Sequence, residues 1–164
     1  MSIPTITETR QYLTFKLGDE VFAVDVANVR EIFDFITVTS MPRAPDYMRG
    51  VINLRGSVVP VIDMRLKFGM TKTEKTVHTC IVVVDVALDN DTVVLGAIAD
   101  SVQEVIELEP DQIESTPKIG TTLNNDFIKG MGKRDSRFIM ILDIDKVFSA
   151  DEQQAVINAS LGRG

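Results

Sequence analysis

His78 and Cys80 are the side chains of this sequence best suited to nucleophilic chemistry, and they are its only histidine and its only cysteine. An imidazole beside a thiol can take its proton, and residues two apart on a strand face the same way. The run Thr79-Cys80-Ile81-Val82-Val83-Val84 predicts such a strand. No third group that would orient the imidazole is indicated, and strand neighbours on one face are far more often simply packed. Asp63 and Asp143 form a second candidate set, since paired carboxylates can share acid and base work. Each precedes a short helical pattern, so helix capping is the competing duty. Metal chemistry finds no zinc spacing, and Asp85 to Asp91 lacks the glycine and the terminal glutamate of a calcium loop. Gly130-Met131-Gly132-Lys133 lacks the rest of a phosphate-binding loop. No catalytic residue, metal or cofactor is therefore expected.

The stretch that positions most of the remaining candidates is Val51 to Phe68. Val51, Ile52 and Leu54 lead to Arg55-Gly56, and Ser57 to Ile62 resumes as a β-branched run, which predicts a hairpin with a cation at its tip. Gly56 supplies the backbone freedom such a turn needs. Pro60 cannot donate to a neighbouring strand, so this run is expected at a sheet edge or at a bulge. Asp63 fits an N-cap before one turn containing Met64, Leu66, Lys67 and Phe68. Upstream, Tyr12 to Leu17 and Val21 to Val24 predict strands joined by Gly18-Asp19-Glu20. Val26 to Glu31 predicts a helical turn, Ile32 to Ile36 a strand, and Asp46 to Gly50 one capped turn.

The second half repeats the first. Asp46 to Phe68 superposes without a gap on Asp126 to Phe148, matching Gly50 with Gly130, Asp63 with Asp143 and Phe68 with Phe148. Asn28 to Ile32 corresponds to Ser101 to Val105, and Glu109 to Asn125 absorbs the difference in register. Repeat halves of roughly 11–70 and 78–148 follow. Two β-rich units of roughly 65 residues would be marginal alone but can share an apolar seam. The expected fold is mostly β, two small barrels with short helical turns, closed by a C-terminal helix that starts at the capping-box pattern Ser149 to Glu152.

Composition narrows the partners. The 164 residues carry 17 Lys+Arg against 24 Asp+Glu, a net charge of −7, which argues against nucleic acid. Arg43, Arg49, Arg55, Arg65 and Lys67 nevertheless cluster between Ser40 and Phe68, a face that would suit an acidic protein partner or simply be solvated. One cysteine excludes a disulfide framework. The first ten residues lack a basic region followed by an apolar core, and no apolar run approaches the roughly 20 residues that span a bilayer. A cytoplasmic protein without membrane insertion is expected. Asn90-Asp91-Thr92 and Asn158-Ala159-Ser160 match the glycosylation pattern only by accident on that reading.

Gly50-Val51-Ile52-Asn53-Leu54-Arg55-Gly56, followed by Val58-Val59-Pro60-Val61-Ile62-Asp63-Met64-Arg65, resembles the signature of the CheW family of chemotaxis coupling proteins. Phe15 to Glu20, Val29 to Ile32, Leu95-Gly96-Ala97, Asp100-Ser101-Val102 and Asp111-Gln112-Ile113 match in order, so the resemblance covers roughly Arg10 to Phe148. It implies two five-stranded SH3-like barrels on a common core, a CheW-like domain over 1–150 followed by a helix and tail at 151–164.

It also implies a non-catalytic adaptor in signalling arrays, joining the cytoplasmic tip of methyl-accepting chemoreceptors to the regulatory domain of the histidine kinase CheA. The positions it makes sensitive to receptor and kinase are Val29, Glu31, Gly50, Arg55, Gly56 and Gly96. A second kinase contact falls on the loop with Glu114, Pro117, Lys118 and Ile119, where the charges depart from the family's pattern. Each position has a plainer duty as well: packing for Val29, close backbone approach for the glycines, and an ion pair with Glu31 for Arg55. An adaptor of the same build in a non-flagellar array, such as one for surface motility, would carry the same residues. A cysteine enzyme and a nucleic-acid-binding barrel are the readings from other classes.

Overall fold

The computed structural model describes residues 8–88, 91–114, 127–134 and 136–160. In chain order the strands are β1 (Arg10–Leu17), β2 (Glu20–Asp25), β3 (Val29–Asp34), β4 (Met48–Leu54), β5 (Ser57–Asp63), β6 (Cys80–Leu88), β7 (Asp91–Ala99), β8 (Ser101–Leu108), β9 (Ile113–Glu114), β10 (Ile128–Arg134) and β11 (Arg137–Leu142). Two helices join them, α1 (Met64–Lys67) and α2 (Ala150–Ser160). One sheet runs β8-β1-β2-β11-β10-β9 and the other β3-β6-β7-β5-β4.

Apart from the short edge strand β9, the two orders are the same. β8 stands where β3 does, β1 and β2 where β6 and β7 do, and β11 and β10 where β5 and β4 do. Registers agree in detail: the β4–β5 ladder slips between Met48 and Gly50, and the β10–β11 ladder slips between Ile128 and Gly130. Asp63 N–H donates to Tyr47 O and Asp143 N–H to Phe127 O, each at 2.7 Å. β5 lies parallel to β7 through Val61 and Gly96, as β11 lies parallel to β2 through Ile141 and Ala23. The sequence repeat is thus a structural one, but repeats and sheets partition the chain differently. Hairpin β1–β2 of the first repeat completes the sheet of the second, and hairpin β6–β7 completes the sheet of the first.

This exchange explains why β1 and β6 are buried on both faces, and why β6 reads as an apolar run broken only by Asp85. On β6, Ile81 and Val83 join Ile52, Val59, Val61 and Ile98 inside one sheet. On β1, Tyr12 joins Ala23, Ile106, Leu108, Ile139 and Ile141 inside the other. The opposite faces, Leu13, Phe15 and Leu17 against Val82, Val84 and Val86, meet in a larger shared cluster. Neither interior cluster alone would offset the entropy of ordering a unit of this size, so the seam makes the two units one folding problem. Aromatic pairs close it reciprocally. Phe68 stacks on Phe127 at 4.8 Å, and its repeat partner Phe148 packs on Tyr47 at 5.7 Å. Such pairs contribute about 1 kcal/mol each beyond burial.

Several local expectations differ from what forms. Met48 to Gly50 already belong to β4, because Met48 N–H closes a turn onto Pro45 O. The helical pattern at Val26 shrinks to a 3-10 turn over Val26–Asn28, capped by the Asp25 carboxylate, and β3 begins at Val29. Pro60 lies on an interior strand. Its partner Val51 spends both backbone groups on Thr39, and the parallel ladder to β7 begins one residue later at Val61, so no missing N–H is felt.

The C-terminal helix forms with the capping box intact: Ser149 N–H donates to Glu152 Oε1 at 2.9 Å and Glu152 N–H to Ser149 Oγ at 3.1 Å. Burial opposes ionisation of Glu152, but the Ser149 hydrogen bonds and Lys67, 3.0 Å away, outweigh it and hold the carboxyl below its ordinary value of 4.5. A depressed carboxyl stabilises the fold above its unfolded pKa and loses that contribution as pH falls through the folded value. Acidification below pH 4.5 is therefore expected to weaken α2, read as loss of helical circular dichroism ahead of the β signal.

Candidate functional site

The tip of β4–β5 is a two-residue turn in which both Arg55 (φ 51°) and Gly56 (φ 86°) are left-handed. That geometry matches the twist of the strands, and Asn53 Oδ1 secures it by accepting Gly56 N–H at 2.9 Å. Arg55 is thus held out at the end of a rigid hairpin, three-quarters exposed, and its Nη2 donates to Glu31 Oε1. Glu31 sits on β3 just after a bulge at which Val29 faces Val84 and Glu31 faces Val83. β3 and β4 are the two edges of their sheet, so the ion pair joins the first strand of the five to the last. Glu31, Arg55 and Gly56 are brought to this one end, with Ile32 and Val58 exposed on the same strand and hairpin, whereas Val29, at the start of β3, packs against the shared core.

Gly50 and Gly96 are not at that surface. Both are buried, and each marks a close approach within the chain. A Cβ on Gly50 (φ +144°) would lie 2.0 Å from the Thr39 carbonyl oxygen, and one on Gly96 3.0 Å from Ile81 Cγ2. Glu114 ends β9 and is exposed, while Pro117, Lys118 and Ile119 lie outside the described residues.

The repeat puts a second version of the tip on the other sheet, which residue patterns alone did not single out. Glu31 corresponds to Glu104, and Arg134 Nη2 lies 3.6 Å from Glu104 Oε1 at the end of β10–β11. Exposed Ile32 and Val58 correspond to exposed Val105 and Phe138. Thr14 Oγ1 bonds both backbone groups of Glu104, at 3.1 and 2.7 Å, and so fills the gap that the β1–β8 bulge leaves. The register that pairs Asn28 to Ile32 with Ser101 to Val105 contains this signal.

The basic cluster is largely neutralised within the chain. Arg49 meets Asp63 at 3.2 Å, Arg65 meets Asp100 at 2.8 Å, Lys67 meets Glu152 at 3.0 Å, and Arg55 meets Glu31. Neither a basic patch nor a solvated face describes it: Arg49, Arg65 and Lys67 are mostly buried within these pairs, and of the four only Arg55 is well exposed. His78 lies in an exposed turn rather than on a strand, and Cys80 Sγ approaches the His78 backbone carbonyl at 3.2 Å, so the pair is not assembled as a dyad. Asp63 and Asp143 are caps in two separate units. Among the described residues no group of acids, His or Cys is placed to hold a metal, and no helix is long and apolar enough to cross a membrane.

Fixed ion-paired hairpin tips with apolar flanks, on paired sheets whose polar groups are mostly engaged in holding turns and caps, define a scaffold that works through its surfaces. Residues 11–152 match the CheW-like domain. The chain is 35% identical over 146 residues to a probable chemotaxis protein CheW of Rhizobium etli, covering 89% of this chain and 92% of that one. It is 33% identical over 154 residues to the chemotaxis protein CheW of Klebsiella aerogenes, covering 94% and 90%. Among solved structures, the scaffolding protein TtCheW of Thermoanaerobacter tengcongensis superposes with a TM-score of 0.76 at 31% identity, over 87% of this chain and 94% of that one. The chain belongs to the CheW family of chemotaxis scaffold proteins.

Proposed function

We propose that this protein couples the cytoplasmic tip of methyl-accepting chemoreceptors to the regulatory domain of the histidine kinase CheA, without chemistry of its own, at membrane-bound receptor arrays. The observation that carries this reading is the Arg55-Gly56 tip: a cation fixed by a left-handed turn, tied to Glu31 by one of its amino groups and flanked by exposed apolar side chains. A helical receptor hairpin presents an apolar stripe bordered by charges, and an apolar surface with one oriented guanidinium meets both. Gly50 and Gly96 act on this site through the shape of the sheet. The loop bearing Pro117, Lys118 and Ile119, next to Glu114, supplies a second kinase contact.

Arg55→Ala is expected to leave stability within about 1 kcal/mol, because the ion pair is exposed, and to weaken binding of the CheA regulatory domain or of a receptor cytoplasmic fragment by roughly tenfold or more. Ile119→Glu is expected to weaken the kinase contact alone. Equilibrium binding of each variant to both fragments makes the comparison. A folded Arg55→Ala protein that binds both as tightly as the wild type removes the tip from the proposal.

A further inference from the structure

We propose that α2 is a releasable latch over the Tyr47–Phe148 contact of the seam, and that the buried amide of Gln153 keeps it from closing tightly. Lys67 Nζ lies between this contact and the helix, 5.6 Å and 5.5 Å from the centroids of the Tyr47 and Phe148 rings and 3.0 Å from Glu152 Oε2. One cation therefore fastens the first turn of α2, the first repeat's tyrosine and the second repeat's phenylalanine. The matching contact, Phe68 on Phe127, is backed instead by Phe22 and Phe15 in a continuous stack. Only one of the two equivalent contacts is held by an element that can leave without unravelling a sheet.

The underside of α2 is poorly made for permanent docking. Of its described side chains three are buried, Gln153, Val156 and Ala159. Gln153 is 8% exposed and faces a cleft lined by Val86, Val93, Leu95, Phe148 and Val156. Its Nε2 makes one long bond to Phe148 O at 3.4 Å, and among the described residues its Oε1 has no partner. Exchanging the two ends of the amide merely leaves an unbonded NH2 in the same apolar cleft. An amide buried with one end unpaired gains a full set of hydrogen bonds on entering water, so closure is opposed by the residue at its centre. A helix of 11 residues is marginal on its own, so release and melting coincide, and Lys67, which stays on α1, loses at that moment the carboxylate that anchors it beside the two rings.

Hydrogen exchange on the full chain tests this. Amides of residues 154–160 are expected to exchange at least about tenfold faster than those of β6 and β7 beneath them, as a separately opening unit. Gln153→Leu, which fills the same volume without a polar end, is expected to slow the α2 amides by roughly tenfold while leaving β6 and β7 unchanged. Protection of β6 and β7 reports that the variant is folded. Exchange of α2 together with those strands in the wild type, or α2 exchange that Gln153→Leu leaves unchanged or accelerates, would overturn the proposal.

Discussion

Gly50→Ala is expected to lower the unfolding free energy by on the order of 3 kcal/mol or more, read as a shift in the urea midpoint. The backbone at Gly50 holds φ +144°, and an added Cβ would stand 2.0 Å from Thr39 O and 2.6 Å from Thr39 C. Those atoms cannot retreat. Thr39 exchanges both of its backbone hydrogen bonds with Val51, at 2.9 and 2.8 Å, so moving it opens the pairing that covers this edge of β4. The repeat supplies its own control. At Gly130 the added Cβ would meet the Ile113 Cγ2 methyl at 2.7 Å and Glu114 O at 3.0 Å without a left-handed backbone, and Gly130→Ala is expected to cost roughly half as much. An unchanged midpoint for Gly50→Ala would show that the backbone adapts there, and would return Gly50 to the list of residues a partner approaches.

Asp63→Asn is expected to destabilise by about 3–5 kcal/mol, while Asp143→Asn changes stability by about 1 kcal/mol or less. The same residue at equivalent positions has two very different surroundings. Asp63 is fully buried; its Oδ1 accepts from Arg65 N–H, Leu66 N–H and Thr73 Oγ1, and its Oδ2 from Thr73 N–H and Arg49 Nη1. An asparagine there points an NH2 at two donors and leaves the Arg49 guanidinium without its counter-charge. Asp143 caps a 3-10 turn through Asp145 N–H at 3.2 Å, with Lys146 at 4.0 Å, and an asparagine can do the same. Paired thermal and denaturant unfolding of the two variants measures the difference. Equal costs would mean that the Thr73 and Arg49 bonds contribute nothing beyond the cap.

What the residues disclosed in advance was local. The Leu54-Arg55-Gly56-Ser57 turn, the Asp63 cap and the Ser149–Glu152 capping box are each decided by neighbours within four positions, and each forms as read. The left-handed φ at Arg55 was missed because its residue type gives no hint of it. Pro60 was misplaced because the rule about edges counts strands, whereas the missing donor matters only where a ladder reaches it. His78 was placed on a strand that its neighbours do not make: Thr76 and Thr79 hold the preceding residues in a turn through their hydroxyls. The shared core was expected from unit size, but not which hairpin completes which sheet. Tyr12 to Val24 would pair as well within its own repeat, and only the registry of Ile141 with Ala23 and of Val61 with Gly96 decides otherwise. For the site, Glu31 and Arg55 were visible from the family signature, whereas the Glu104–Arg134 counterpart needed the repeat carried through residue by residue.

The exchange of hairpins has a consequence for synthesis. As the nascent chain leaves the ribosome, β1–β2 emerges before the other strands and has no neighbour to join until β8 follows, and β11 comes only more than 100 residues behind the start of β1. Its apolar faces, Leu13 and Phe15 on one side and Tyr12 on the other, stay wet until those strands arrive. Such long-range closure slows folding and prolongs the period in which an unpaired edge can meet another chain. A domain assembled this way gains its rigidity late, in one step, when the last strand slides in beside the second.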